Sequence, residues 1–165
     1  MPITPRTFLQ PASLHRALLG RVLVALAVLL PLGTAWAGAF TDRAERVFSS
    51  TIIASVKESG AAGEVTFKVP ERAANYFVTG DKLNKVFAID SARIFRDVEG
   101  LERLTFHIPA HGKTYSLRVT RADIEKHYGM SFKGMSMDAW RNEFIQVFDN
   151  KQSRAKFVER FVKAE

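Results

Sequence analysis

Two alternating segments near the middle of the chain carry the residue types best suited to hold an anion. In 101–108, Arg103, Thr105 and His107 alternate with Leu104, Phe106 and Ile108; in 113–120, Thr114, Ser116 and Arg118 alternate with Tyr115, Leu117 and Val119. Period-two alternation marks a half-buried strand, and Pro109-Ala110-His111-Gly112 between the segments forms turns. Closing a hairpin on that spacer sets Phe106 opposite Tyr115 and Leu104 opposite Leu117. Arg103 then stands opposite Arg118, and His107 opposite Thr114. Two facing guanidinium groups repel unless a negative group lies between them, and arginine forks and hydroxyls match phosphate, sulfate or carboxylate. The expected ligand-binding set is Arg103, Thr105, His107, Ser116 and Arg118. The bland reading is a solvated sheet face whose arginines pair with Glu99, Glu102 or helix acids. His107 with Ser116 offers a nucleophilic alternative, but the sequence places no acid to orient the imidazole.

Charge is distributed in keeping with that face. The chain of 165 residues carries 24 Lys+Arg against 17 Asp+Glu, net +7. Residues 82–121 hold 8 basic and 4 acidic groups, net +4, while 38–81 sum to −1 and 122–165 to +1. Apolar residues make up 47% and charged residues 25%, a globular composition that argues against extended disorder. The absence of cysteine excludes disulfides, a thiol nucleophile and thiolate metal sites. The sequence has no phosphate-binding loop, dinucleotide fingerprint, G-x-S-x-G elbow or H-E-x-x-H helix. No cofactor is expected, and catalysis is the less favoured reading.

Two further constellations have chemical potential. His127, Met130, Met135 and Met137 form a soft-donor cluster that suits Cu(I), against the plainer reading that methionines fill core gaps. His107-x3-His111 suggests no third ligand for zinc. In the last segment, Lys151, Arg154, Lys156, Arg160 and Lys163 surround Phe157, Val158, Phe161 and Val162. Such a basic amphipathic helix can touch an anionic membrane surface, or simply pack inward with its cations solvated.

The elements that must position these residues follow from pattern and caps. Helices are expected over 41–58 with Thr41 or Asp42 as cap, over 121–128 capped by Thr120 and ended by Gly129, over 137–148 after Ser136, and over 151–164. The third carries the stripe Met137, Trp140, Phe144, Val147 and Phe148. Strands are expected at 64–69, 85–89 and 93–97 besides the hairpin, and 70–79 suits either a short helix or a strand. Helix, then strands, then helices indicates an α+β fold: an antiparallel sheet of about four or five strands. An N-terminal helix and C-terminal helices should cover one of its faces.

Residues 1–37 read as a cleaved Sec-type signal peptide: Arg6, Arg16 and Arg21, no acid, the apolar run 22–30, then Ala35-Trp36-Ala37. The run is shorter than the ~20 residues of a spanning helix; an uncleaved anchor is the alternative. Residues 38–165 would then form one exported domain, periplasmic or extracellular, with 21 basic and 17 acidic groups. The function expected is a non-catalytic binding module for an anionic ligand, an acidic partner protein or an anionic envelope surface, and not for nucleic acid. A small hydrolase or transferase using His107 with Ser116, and a structural envelope subunit, are the alternatives. Intact-mass measurement of exported protein should give a chain starting at Gly38; a mass that includes 22–30 would indicate an anchor.

Overall fold

In the computed structural model, which describes residues 38–165, helix α1 (Ala39–Val47) leads into strand β1 (Ile53–Ser59). The signal segment expected at 1–37 lies outside the described residues. The single helix expected over 41–58 is therefore a helix and a strand. In Ser49-Ser50-Thr51-Ile52-Ile53 the hydroxyls compete for backbone partners and the β-branched side chains lose freedom in a helix. Neither Thr41 nor Asp42 caps α1. Glu58 of β1 does so from across the fold, its Oε2 accepting from Gly38 N at 3.1 Å, Thr41 N at 3.3 Å and Thr41 Oγ1 at 3.2 Å.

Strand β2 (Ala62–Phe67) returns antiparallel to β1, with Ser59 paired to Ala62 across the turn at Gly60-Ala61. It starts and ends two residues before the expected 64–69, which leaves Val69 exposed. Gly63 lies against the Phe40 ring, where a Cβ would come within 2.4 Å of a ring carbon. Only glycine lets α1 seat this close to the sheet.

Residues 70–79 form turns, neither the helix nor the strand expected; Phe77 is buried against Phe67, and Tyr76 packs beside it at the edge of the core. The two strands expected at 85–89 and 93–97 are instead one helix, α2 (82–97), with a π-helical stretch at Val86–Asp90. Phe87, Ala88, Ile89, Ala92, Ile94 and Phe95 are all fully buried. A helix buried on most sides loses the 3.6-residue stripe, and short apolar runs then read equally well as strands.

Strands β3 (Arg103–Ala110) and β4 (Lys113–Thr120) form the hairpin. The loop is only His111-Gly112, with φ of 51° and 72°. Positive φ at both positions is the primed turn that fits strand twist. The shorter loop moves the expected register by two residues: Phe106 faces Leu117, Leu104 faces Val119 and His107 faces Ser116. Helix α3 (Arg121–Tyr128) follows as expected, with a reciprocal Thr120–Asp123 capping box. Helix α4 (137–148) starts at the Ser136 cap and contains a π-helical stretch at Trp140–Ile145. Its wider turns rotate the stripe, so Trp140 and Phe144 are buried while Met137 and Val147 are exposed. Helix α5 (Lys151–Phe161) is capped by Asn150 and stops short of the expected 164. The chain then forms strand β5 (Val162–Ala164) along β4.

The sheet order is β1-β2-β3-β4-β5. All neighbours are antiparallel except β2 and β3, which run parallel with Val65 beside Phe106. This is the expected α+β architecture with one parallel pair added. The N-terminal and C-terminal helices pack on the face that carries Val65, Phe67, Leu104, Phe106, Ile108, Leu117 and Val119.

Buried polar groups tie the helical layer together. Arg121 donates to the carbonyls of Val98, Glu99 and Leu101 at 2.9–3.0 Å, fixing the exit from α2. Arg154 of α5 bridges Asp81 and Asp149. Asp90 lies 3.8 Å from Arg93 with Lys85 and Asp149 near, and burial pushes its pKa up to about 6.

Trp140 stacks on Phe144 at 4.4 Å and carries the Arg96 guanidinium at 4.5 Å. Trp140→Ala should cost about 3–5 kcal/mol in denaturant melts; a loss below about 1 kcal/mol would contradict its place in the core. The raised pKa of Asp90 means the folded state holds a proton that the unfolded state has lost, so this group's contribution to stability falls as pH rises from about 4 to about 6. Asp90→Asn should therefore stabilise the protein at pH 7 by roughly 2–3 kcal/mol and have much less effect at pH 4. An equal effect at both pH values, read from paired denaturant melts, would refute the burial cost.

Candidate functional site

The face of the sheet opposite the helices carries the five residues singled out in the sequence. Paired residues on neighbouring strands point to the same side, so the register gives the layout. One row runs Lys57–Glu64–Thr105–Arg118 across β1 to β4, and the next runs Ser55–Thr66–His107–Ser116–Lys163 across all five strands. Arg103 lies beyond, opposite Thr120. The two arginines are therefore not directly opposed as expected. Arg118 faces Thr105, and Arg103 sits diagonally from it, because a slip of two residues preserves the face but changes the partner.

Arg103, Thr105 and Arg118 do come together. With Leu104, Val119, Thr120 and Asp123 they line a shallow depression of about 270 Å³. Both arginines are exposed, and neither has an ion-pair partner among the described residues. Glu99 and Glu102, the acids named as their alternative partners, form an ion pair with neither arginine; the Glu102 carboxylate lies 3.8 Å from Arg121 Nε instead. Asp123 at the rim is engaged by Thr120, whose N–H and hydroxyl hold its carboxyl below the usual range.

His107 and Ser116 lie outside that depression and bond to one another, Nδ1 to Oγ at 2.9 Å. Ser116 is only 5% exposed. Its hydroxyl sits at the base of the face rather than on offer to a substrate, and the imidazole satisfies it. Glu64, which the sequence reading missed, stands on the neighbouring strand near both His107 and Arg118. The hydrogen bond from Lys57 Nζ at 2.8 Å holds its carboxyl below the usual range, with His107 and Arg118 adding to the effect. Glu64 was legible as an alternating outward residue of the strand expected at 64–69, whereas Lys57 fell within the helix expected over 41–58. What the sequence lacked was the parallel pairing that brings β2 beside β3. Lys163 joins the face through β5, which a three-residue strand does not announce.

The soft-donor cluster is dispersed by packing. The His127 ring lies edge-on to Tyr128, Phe157 and Phe161 at 4.7–5.4 Å, and burial with nearby Arg160 lowers its pKa. Met130 and Met135 pack on the core while Met137 points out. The described residues contain no group of three or more His, Asp or Glu placed to hold a metal ion. The apolar stripe of α5 is likewise committed inward: Phe157 is fully buried, and Arg154 is held by two aspartates. His111 occupies the hairpin turn, away from His107. No family model matches the chain, and searches of curated proteins and of solved structures find no match either.

Proposed function

We propose that residues 38–165 act as a non-catalytic binding module, exported to the periplasm or beyond the cell, whose uncovered sheet face receives an anionic ligand. One observation carries this reading: Arg103 and Arg118 share a depression with Thr105, and neither has a carboxylate at ion-pair distance among the described residues, Asp123 at the rim being held by Thr120 and Glu64 by Lys57. Of the other described arginines, Arg43, Arg93, Arg96, Arg121 and Arg154 are placed against carboxylates, while Arg46, Arg72, Arg141 and Arg160, which lie outside the sheet strands, are exposed without an ion pair. Two unpaired forks on one face attract phosphate, sulfate or carboxylate from a distance, and salt weakens that attraction. His107 and Ser116 support the floor of the face through their mutual hydrogen bond, and Glu64, held by Lys57, limits the positive field toward β1.

Hydrolysis or transfer at His107 and Ser116 finds support only in their 2.9 Å contact; the burial of Ser116 argues for the structural role. An acidic partner protein, an envelope surface or peripheral membrane contact would use the same cations, with Lys151, Lys156 and Arg160 of α5 as the remaining exposed ones nearby in sequence.

Replacing Arg103 and Arg118 together by Gln should abolish salt-sensitive binding of phosphate-bearing or sulfated probes in calorimetric titration while leaving the thermal melt unchanged, since both side chains are exposed. Equal binding by wild type and double variant would refute the site.

A further inference from the structure

Lys163, assigned to a helix by its sequence and placed on β5 by the fold, extends the arginine site in a definite direction. Arg103 is opposite Thr120 on β4, Arg118 lies two residues before Thr120 on β4, and Lys163 is opposite Ser116, two residues before Arg118. Each step from one cation to the next is therefore the same: one strand across and two residues along. Arg103, Arg118 and Lys163 form a straight diagonal over β3, β4 and β5, with steps of about 7–8 Å, the spacing of diagonal neighbours in a sheet. All three are exposed and none has an ion-pair partner among the described residues.

We infer that the ligand is a linear phosphate polymer laid along this diagonal, rather than a single anion seated between two arginines. The inference rests on the anion-binding reading above and adds the shape of the ligand. A lone phosphate fits the depression and satisfies two cations, but it leaves Lys163 unused. A flexible chain of phosphates neutralises all three cations. The forks match phosphate, sulfate and carboxylate alike; phosphate is chosen because its linear polymer carries such an anion at every repeat, and the sulfated probe tests that choice. The nearby acids bound the track. Glu64, held by Lys57, lies on the β1 side; Asp123, held by Thr120, lies at the Arg103 end; Glu165, paired with Thr114, lies beyond Lys163.

The test compares the whole exported domain with Lys163→Gln and with the Arg103→Gln/Arg118→Gln double variant. The probes are orthophosphate, pyrophosphate, inorganic polyphosphate and a sulfated oligosaccharide of matched charge. Polyphosphate should bind roughly tenfold or more tighter than pyrophosphate at low salt. Its affinity should fall with a log–log salt slope of about −2 for three neutralised phosphates, and about −1.4 in Lys163→Gln. If pyrophosphate binds as tightly as polyphosphate, or Lys163→Gln leaves the slope unchanged while the double variant abolishes binding, the polymer track is overturned and the two-arginine site stands. Tighter binding of the sulfated oligosaccharide overturns the choice of phosphate. If no probe binds the wild type, or the double variant binds like the wild type, both readings fall together.

Discussion

The parallel pairing of β2 with β3 is the constraint on which this architecture depends. Antiparallel neighbours can be joined by two residues, as β1–β2 and β3–β4 are, but parallel neighbours require the chain to cross back over a face of the sheet. Here the crossing includes α2, whose apolar residues bury against the strands and leave little freedom for the rest. Helices α1, α3, α4 and α5 add to the layer that α2 begins. Gly63 shows how closely that layer is seated, since a single added carbon would collide with Phe40. With every helix drawn to one side, the other side of the sheet is left to its strand residues alone, and their character decides what the surface can do.

The two layers treat charge differently. In the helical layer cations are confined by geometry: Arg121 is consumed by the carbonyls that end α2, Arg154 by two aspartates, Arg96 by Asp97 and the Trp140 ring. Buried charges must be partnered in this way because an unpaired one costs several kcal/mol, of the order set by lost hydration. On the open face there is no such demand, so Arg103 and Arg118 remain unpaired in water. The contrast is one of burial: the buried cations hold the fold, while exposed ones such as Arg46, Arg141 and Arg160 of the helical layer stay unpaired like Arg103 and Arg118, and Lys57 on the open face pairs with Glu64.

Much of the plan was legible in the sequence, and the failures have distinct physical sources. Alternation in 103–120 identified both central strands and assigned every side chain to its correct face, because a slip of two residues does not change sides. The pairings themselves were wrong, since they hang on whether Pro109 and Ala110 belong to the turn or the strand. The caps of α3 and α4 were read because they are local: Thr120 and Ser136 act within three residues; the Asn150 cap of α5 is equally local but was read only as part of a turn. The cap of α1 was not, because Glu58 arrives from a strand that local propensity had absorbed into the helix. Helix α2 was misread because burial on most sides erases the periodicity that distinguishes helix from strand. The exposed position of Val147 was missed because a π-helical stretch changes the period midway through α4, while Met137 is exposed at the helix's first turn, ahead of that stretch. For the site, residue type and facing were available from sequence, but the diagonal alignment depended on the order of strands.

If the chain is cut after Ala37, the contact between Gly38 and Glu58 changes character. Glu58 Oε2 accepts from the nitrogen of Gly38, the residue that follows the small-x-small motif Ala35-Trp36-Ala37. In the uncut chain that nitrogen belongs to a neutral amide. Scission after Ala37 would convert it to an α-ammonium group, protonated for the most part at neutral pH with an ordinary pKa of about 8, and Glu58 would then hold a cation at the head of α1. A positive charge there opposes the helix dipole, so the carboxylate would offset the repulsion that the new terminus brings. The carboxylate that seats the first turn would thus meet a cation in the cut chain and a neutral amide in the uncut one, an electrostatic difference between Gly38 and the edge strand β1.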